Sequence, residues 1–207
     1  MADSPWPTIE GERRALAADL QSVPGERWST MSLCEGWTIR DLLAHMTATA
    51  KMSPPKFLAG MAGAGFNFNK FAAAGIERER GSSHEDALER FTAEASSRTH
   101  PPGPVDSWLG ETIVHGEDIR RPLGIHHEYP MPALTRVADF YKKSNLLIGA
   151  KKRVAGLTLR ATDTSWSTGS GPEVSGPMAS LVLALTGRKA ALDDLSGEGL
   201  ATLRGRM

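Results

Sequence analysis

Apolar side chains recur every three or four residues through most of the chain, a spacing that gives a helix one buried face. Proline and glycine interrupt this pattern and divide it into segments. Helices are therefore predicted over about residues 8–21, 38–52, 83–95, 105–121 and 132–152. Residues 56–76, rich in glycine, alanine and phenylalanine, fit either a loose helix or a long loop with helical pieces.

Two of these helices carry a start signal. Thr38 is followed three residues later by Asp41, and Ser83 by Asp86, so each pair forms a variant of the capping box. Pro122 follows the fourth segment and predicts that its helix ends before that residue. The apolar side of the fifth segment includes Leu134, Val137, Phe140, Tyr141, Leu146 and Leu147.

The pattern changes near residue 157. Residues 157–162 alternate apolar and polar side chains, which predicts a half-buried strand, and residues 173–175 fit a short partner strand. The sequence between them is rich in turn residues, and a helix with proline at its first position follows over residues 177–185. We therefore predict a mainly α protein, with a helical bundle over residues 1–152 and a small C-terminal α/β (strand–strand–helix) unit over residues 153–207.

Composition narrows the class of protein. The chain has 207 residues, of which 40% are hydrophobic and 23% charged, as in ordinary globular proteins. Its formal net charge is zero, which gives no electrostatic reason to expect nucleic acid or an anionic membrane as a partner. The same balance gives little repulsion between copies and allows a homodimer.

Several features favour a cytoplasmic location. Cys34 is the single cysteine, so no intramolecular disulfide can form, which fits a reducing compartment. The first residues lack the basic and then apolar pattern of a secretory signal. The longest apolar stretch, residues 181–185, is far shorter than the ~20 residues that span a bilayer.

Three residues suggest chemistry. Glu111 and His115 are four residues apart, which places both side chains on one face of a helix, one turn apart. A carboxylate facing an apolar interior is costly unless something neutralises it, and a divalent metal would do so. His45, on the apolar face of another predicted helix, can supply a third ligand. Two histidines and one carboxylate with an open position are typical of a catalytic zinc site, although nickel, iron or another divalent ion would also fit.

Other charged or metal-binding side chains have simpler interpretations. Asp118, Arg120 and Arg121 are predicted to form ion pairs at a helix end, where the helix dipole favours arginine. The adjacent His126 and His127 are expected to lie exposed in a loop.

Three stretches together resemble the mycothiol-dependent maleylpyruvate isomerase family, within the DinB-like metalloprotein superfamily. They are residues 33–45 (LCEGWTIRDLLAH), residues 111–122 (ETIVHGEDIRRP) and the tail from residue 161 to residue 197. The resemblance implies a DinB-like helical bundle with a small α/β tail. It carries over His45, Glu111 and His115 as metal ligands, zinc as the metal, mycothiol or a similar thiol as cosubstrate, and Arg188 as a catalytic residue.

Such a site would hold a thiol as its thiolate, a nucleophile at neutral pH. We therefore expect an enzyme that isomerises a small electrophile or transfers sulfur to it, with Arg188 binding a substrate carboxylate. Two alternatives remain open. One is a metal-binding module that binds a small ligand without catalysis, and the other is a metal-dependent hydrolase that needs no thiol.

Overall fold

The structure, a computed structural model, describes residues 4–145 and 148–207 and is mainly α-helical, as predicted. The helices are α1 (Trp6–Gln21), α2 (Ile39–Ala50), α3 (Pro54–Gly63), α4 (Phe68–Glu79), α5 (His84–Ala93), α6 (Val105–Leu123), α7 (Met131–Tyr141), α8 (Ala150–Arg153), α9 (Met178–Leu185) and α10 (Leu200–Arg204). The strands are β1 (Thr158–Ala161), β2 (Ser167–Gly169) and β3 (Glu173–Gly176). Short 3₁₀ helices cover Gly25–Ser29 and Lys189–Asp194.

The chain forms two compact units, residues 1–127 and residues 128–207. The first contains α1 to α6, and the second contains α7 to α10 and the sheet. The division expected between residues 152 and 153 falls inside the second unit, and as a statement about domains it stays a prediction. No helix of the described residues is long and apolar enough to cross a membrane.

Helix α2 lies at the centre of the first unit, where it packs against α4, α5 and α6. Most of its side chains are buried, and its apolar residues join those of α1, α5 and α6 in one core. Burying apolar surface from four helices at one place is the main force that fixes α2 against α6. The largest members of this core are Leu16, Leu20, Trp28, Ile39, Leu42, Leu43, Met46, Phe91 and Ile119.

The predicted capping box at the start of α2 is confirmed. The Thr38 side chain accepts the backbone N–H of Asp41, and the Asp41 carboxylate accepts the backbone N–H of Thr38 at 3.0 Å. The second pair forms half of the predicted capping box. Ser83 accepts the backbone N–H of Asp86 at 3.3 Å, while the Asp86 carboxylate accepts the backbone N–H of Ser82 at 2.9 Å. A defined start for α2 fixes its rotation and so determines which side chain faces α6.

Helix α6 extends two residues further than predicted, to Leu123, and so includes Pro122. A proline lacks the N–H that would bond to the carbonyl four residues earlier, here that of Asp118. The backbone N–H of Leu33 donates to this carbonyl instead, at 3.1 Å. The proline is therefore tolerated, and the carbonyl it releases holds the segment before α2 against α6.

The glycine-rich stretch 56–76 consists of helical pieces, α3 and α4, joined by the short turn 64–67. Asn67 caps α4 by accepting the backbone N–H of Lys70 at 3.0 Å. The rings of Phe57 and Phe71 meet edge to face, with centroids 5.4 Å apart, and connect the two helices.

The single helix predicted over residues 132–152 is wrong, because α7 ends at Tyr141 and α8 begins at Ala150. The side chain of Asn145 accepts a backbone N–H of α8, that of Lys152, at 3.0 Å. A hydrogen bond of this kind, between an asparagine side chain and the backbone, competes with helix formation. The predicted apolar positions Leu146 and Leu147 lie outside the described residues.

The predicted pair of strands is confirmed, and the structure adds a third. The sheet order is β2–β1–β3, with β1 antiparallel to β2 and parallel to β3. Strand β2 lies in the sequence that was predicted to form turns only, because a three-residue strand is too short to show alternation. Helix α9 packs against β1 and β3, and nearly all of its side chains are buried.

Candidate metal centre

His45 from α2 and Glu111 and His115 from α6 converge at one point. One donor atom from each side chain lies within 4.8 Å of the other two. Donors around a tetrahedral zinc ion, at bonds of ~2.1 Å, lie roughly 3.4 Å apart, so small side-chain rotations would bring all three to a single cation. The rings of His45 and His115 already meet edge to face, with centroids 5.4 Å apart.

The carboxylate of Glu111 shows that this arrangement fits a cation. Its Oε1 atom is buried and has no hydrogen-bond partner among the residues that the structure describes. Burial raises the pKa of Glu111, while the charges of His115 and Arg13 and a hydrogen bond from Thr49 act in the opposite direction. A buried carboxylate oxygen without a partner is costly, and a divalent ion placed between it and the two imidazoles would remove that cost.

His45 is ready to act as a ligand because it is neutral. Its pKa is lowered to about 3, since burial disfavours the charged ring and His115 contributes a second positive charge. The Trp37 ring packs on it with centroids 4.8 Å apart and covers one face. A neutral imidazole offers a lone pair at any physiological pH.

His115 is oriented by Asp118, which lies one turn further along α6. The Nδ1 atom of His115 is 2.9 Å from Oδ2 of Asp118, a carboxylate with no exposed side-chain surface. Burial alone would lower the pKa of His115, but hydrogen bonds to Asp118 and Cys34 raise it to about 10. With Nδ1–H donated to Asp118, Nε2 is the atom that faces a metal, as in the carboxylate–histidine–metal arrangement of many metalloproteins. Because the raised pKa keeps a proton on Nε2 at neutral pH, a metal would bind there by displacing that proton.

The ion pairs predicted at this end of α6 are present, and the structure adds a contact that the sequence did not predict. Arg120 pairs with Asp19 at 2.7 Å and Arg121 with Glu117 at 2.8 Å. Asp118 also pairs with His115. The signal that could have identified it is its position three residues after a candidate ligand on the same helix face.

Cys34 also lies beside this group. Its Sγ donates to Oδ2 of Asp118 at 3.2 Å and is 3.6 Å from Nδ1 of His115. Cys34, His115 and Asp118 could therefore form a second set of metal ligands. Because Nδ1 of His115 is bonded to Asp118, we assign Cys34 and Asp118 to the support of His115. Sequence reasoning missed this thiol because the contact joins residues 81 positions apart.

Replacing Asp118 with asparagine should lower zinc affinity by about 10- to 100-fold, the usual cost of losing a carboxylate behind a histidine ligand. Asparagine can still accept the Nδ1–H, but it lacks the charge that strengthens the imidazole as a donor. Competition with a chromophoric chelator measures the affinity, and Asp193→Asn, on an exposed residue of the second unit, is the matched control. Unchanged zinc affinity in a folded Asp118→Asn protein would refute the role given to Asp118.

The structure places Arg188 in the second unit, next to the 3₁₀ helix that begins at Lys189. Its Nη1 donates to the carbonyl of Thr186 at 3.2 Å. Arg153 lies nearby, since its Nη1 donates to the carbonyl of Leu185 at 2.6 Å. Burial and then the charge of Arg188 lower the pKa of Arg153. The buried Nε of Arg153 has no hydrogen-bond partner among the described residues. Two guanidinium groups close together attract an anion.

Two imidazoles and a carboxylate brought together from two helices of a bundle form a candidate metal centre. Residues 9–120 match the family of the mycothiol maleylpyruvate isomerase N-terminal domain, and the chain belongs to this family. This confirms the resemblance carried by the sequence motifs. No protein with a curated description matches the chain in sequence.

Two solved structures share the fold. The crystal structure of the mycothiol-dependent maleylpyruvate isomerase is 19% identical in sequence and aligns with a TM-score of 0.60. That of a histidine-to-alanine mutant of the isomerase is 18% identical, with a TM-score of 0.58. Each comparison covers 95% of this chain and 94% of the other. At this identity the likeness shows the fold.

Proposed function

We propose that this protein is a metal-dependent enzyme that uses a low-molecular-weight thiol, mycothiol or a close analogue, to isomerise a small electrophilic substrate. The observation that carries the proposal is the buried Oε1 of Glu111, which has no partner among the described residues and lies beside two histidines. Membership in the mycothiol maleylpyruvate isomerase family supports the choice of thiol. If the thiol stayed bonded to the substrate instead of being expelled, the same chemistry would give an S-transferase.

Zinc is the proposed metal, and His45, Glu111 and His115 would hold it. When bound, the metal would favour the thiolate form of the cosubstrate over the thiol. His45 contributes a lone pair without losing a proton, and Asp118 keeps Nε2 of His115 directed away from itself. Three protein ligands leave at least one coordination position for the thiol.

Arg188 is proposed as a catalytic residue that binds a carboxylate of the substrate. Sulfur adds to a carbon–carbon double bond conjugated with a carbonyl, and the electron pair moves to the carbonyl oxygen. Rotation about the resulting single bond and expulsion of sulfur restore the double bond in the other geometry and regenerate the thiol. A guanidinium group bonded to the substrate stabilises the negative charge that develops, and Arg153 reinforces its field.

The direct test supplies zinc-loaded protein with mycothiol and maleylpyruvate and follows the loss of substrate absorbance. We expect turnover only when both zinc and thiol are present. Arg188→Ala should lower kcat/KM by about 100-fold, because a charge-assisted pair of hydrogen bonds contributes about 3 kcal/mol. Arg204→Ala, at an exposed arginine of α10, should leave the rate unchanged.

Other results would favour the alternatives. A zinc-loaded protein that turns over no electrophile with any thiol would contradict the proposed enzyme and favour a binding module. Hydrolysis that proceeds equally well without thiol would favour a metal-dependent hydrolase.

A cytoplasmic location and a homodimer stay predictions. Light scattering coupled to size-exclusion chromatography distinguishes a monomer from a dimer of the 22.3 kDa chain.

A further inference from the structure

A groove of about 530 Å³ lies between α2, α3 and α4 in the first unit. Its walls consist mainly of small or apolar residues, among them Ala48, Met52, Gly63 and Phe71. This volume is within the range of small-molecule sites, which are ~300–1,000 Å³. The described residues that line the groove include none of the three candidate metal ligands, so it is separate from the candidate metal centre.

The helix that forms one wall of this groove is poorly buried. No residue of α3 is buried, although its sequence is largely apolar. Large apolar side chains on α3, in the following turn and at the start of α4 are exposed: Leu58 by 63%, Phe66 by 77% and Phe68 by 54%. These three side chains are on the segments that form the groove but do not line it. The groove's own apolar lining, chiefly Met52, Ala59 and Phe71, is what favours a ligand with an apolar body.

The charges on the groove walls have one predominant sign. Glu79 is the acidic residue among those that line the groove, and it already pairs with Lys51 at 2.8 Å and Arg78 at 3.2 Å. Lys56 and Lys70 also line the groove, and neither ammonium group has an ion-pair partner within the described part of the chain. Four cations against one carboxylate leave an excess positive charge that complements an anion.

We propose that this groove is a binding site for an amphipathic carboxylate, a small organic acid with an aliphatic or aromatic body. The apolar body lies against Ala48, Gly63 and Phe71, and the carboxylate pairs with Lys56 and Lys70 at the rim. The ligand covers the side of α3 that faces the groove and neutralises part of its excess charge. This site does not depend on the proposed enzymatic activity.

The test follows octanoate binding to the full-length protein, with and without zinc, by amide chemical shifts in NMR spectra. 1-Octanol has the same chain without the charge and should bind at least about 5-fold more weakly if the lysines contribute ~1 kcal/mol. Octanoate should shift the amides of α3 and α4. The affinity for octanoate should be the same with and without zinc. The groove proposal can therefore be tested whether or not the candidate metal centre binds zinc.

Two variants of the groove make the test specific. Lys56→Glu/Lys70→Glu reverses the charge of the rim, and Gly63→Leu fills the groove. A Cβ added at Gly63 has no atom within 4 Å, so the leucine should not disturb the fold. Each variant should weaken octanoate binding by about tenfold or more, which corresponds to ~1.4 kcal/mol. Lys143→Glu, an exposed lysine of the second unit, should not change it.

Any of three results would overturn the proposal. The first is equal affinity for octanoate and 1-octanol. The second is unchanged octanoate binding in both groove variants. The third is a loss of octanoate binding in Lys143→Glu as large as the loss in the groove variants. Binding of the protein to phosphatidylglycerol vesicles without saturable binding of octanoate would also overturn it, since the exposed apolar residues would then face a lipid surface.

Discussion

Replacing His45 with alanine is expected to lower zinc affinity by about 100-fold or more and to leave the bundle folded. The binding free energy of zinc held by four protein ligands is ~10–16 kcal/mol, or roughly 3 kcal/mol for each ligand. A loss of about 3 kcal/mol corresponds to about 100-fold in affinity, since each ~1.4 kcal/mol is tenfold. The fold should survive because the core around α2 is formed by apolar side chains such as Leu42, Leu43 and Met46. Loss of the contact between the His45 and Trp37 rings should lower the free energy of unfolding by only about 1–2 kcal/mol.

Two measurements check this result. Elemental analysis gives the zinc content of the purified protein, and thermal unfolding with and without zinc shows whether the metal binds the folded state. Zinc should raise the unfolding temperature of the natural protein and not that of His45→Ala. His126→Ala, at an exposed histidine, is the matched control. Full zinc content in folded His45→Ala would contradict the proposed metal centre.

Replacing Gly169 with alanine should destabilise the second unit by about 3 kcal/mol or more. Gly169 ends β2 with a φ of +85°, a conformation that costs other residues about 1–2 kcal/mol. A Cβ at this position would also overlap the carbonyl oxygen of Leu157. That oxygen belongs to the backbone just before β1, so the clash cannot be relieved without disturbing the pairing of Thr158 with Gly169.

Gly156 provides the control for this prediction. Its φ is +70°, but a Cβ there would have no atom within 4 Å, so Gly156→Ala should cost only about 1–2 kcal/mol. Hydrogen exchange of the β1 amides reports the stability of the second unit in each variant. Equal protection in the two alanine variants would show that the backbone contact, as distinct from the φ angle, has no effect.

Local sequence signals predicted most of the helices and the sheet. Thr38 with Asp41 marked the start of α2, and the change from helical spacing to alternation marked the approach to β1. Local signals were least reliable where a long-range contact competes with them. Pro122 was expected to end α6, but the N–H of Leu33 bonds to the carbonyl that the proline leaves free, so the helix continues.

The same distinction applies to the candidate metal centre. The spacing of Glu111 and His115 by itself determined that the two side chains share a helix face, since 3.6 residues per turn allows no other arrangement. The apolar face of a second predicted helix suggested His45 as a third ligand, and the family resemblance added Arg188. Two features were visible only in three dimensions: the Oε1 of Glu111, which has no partner among the described residues, and the contact of Cys34 with Asp118. They depend on how α2, α6 and the segment before α2 pack, and packing brings together residues whose distance along the chain carries no information about their contact.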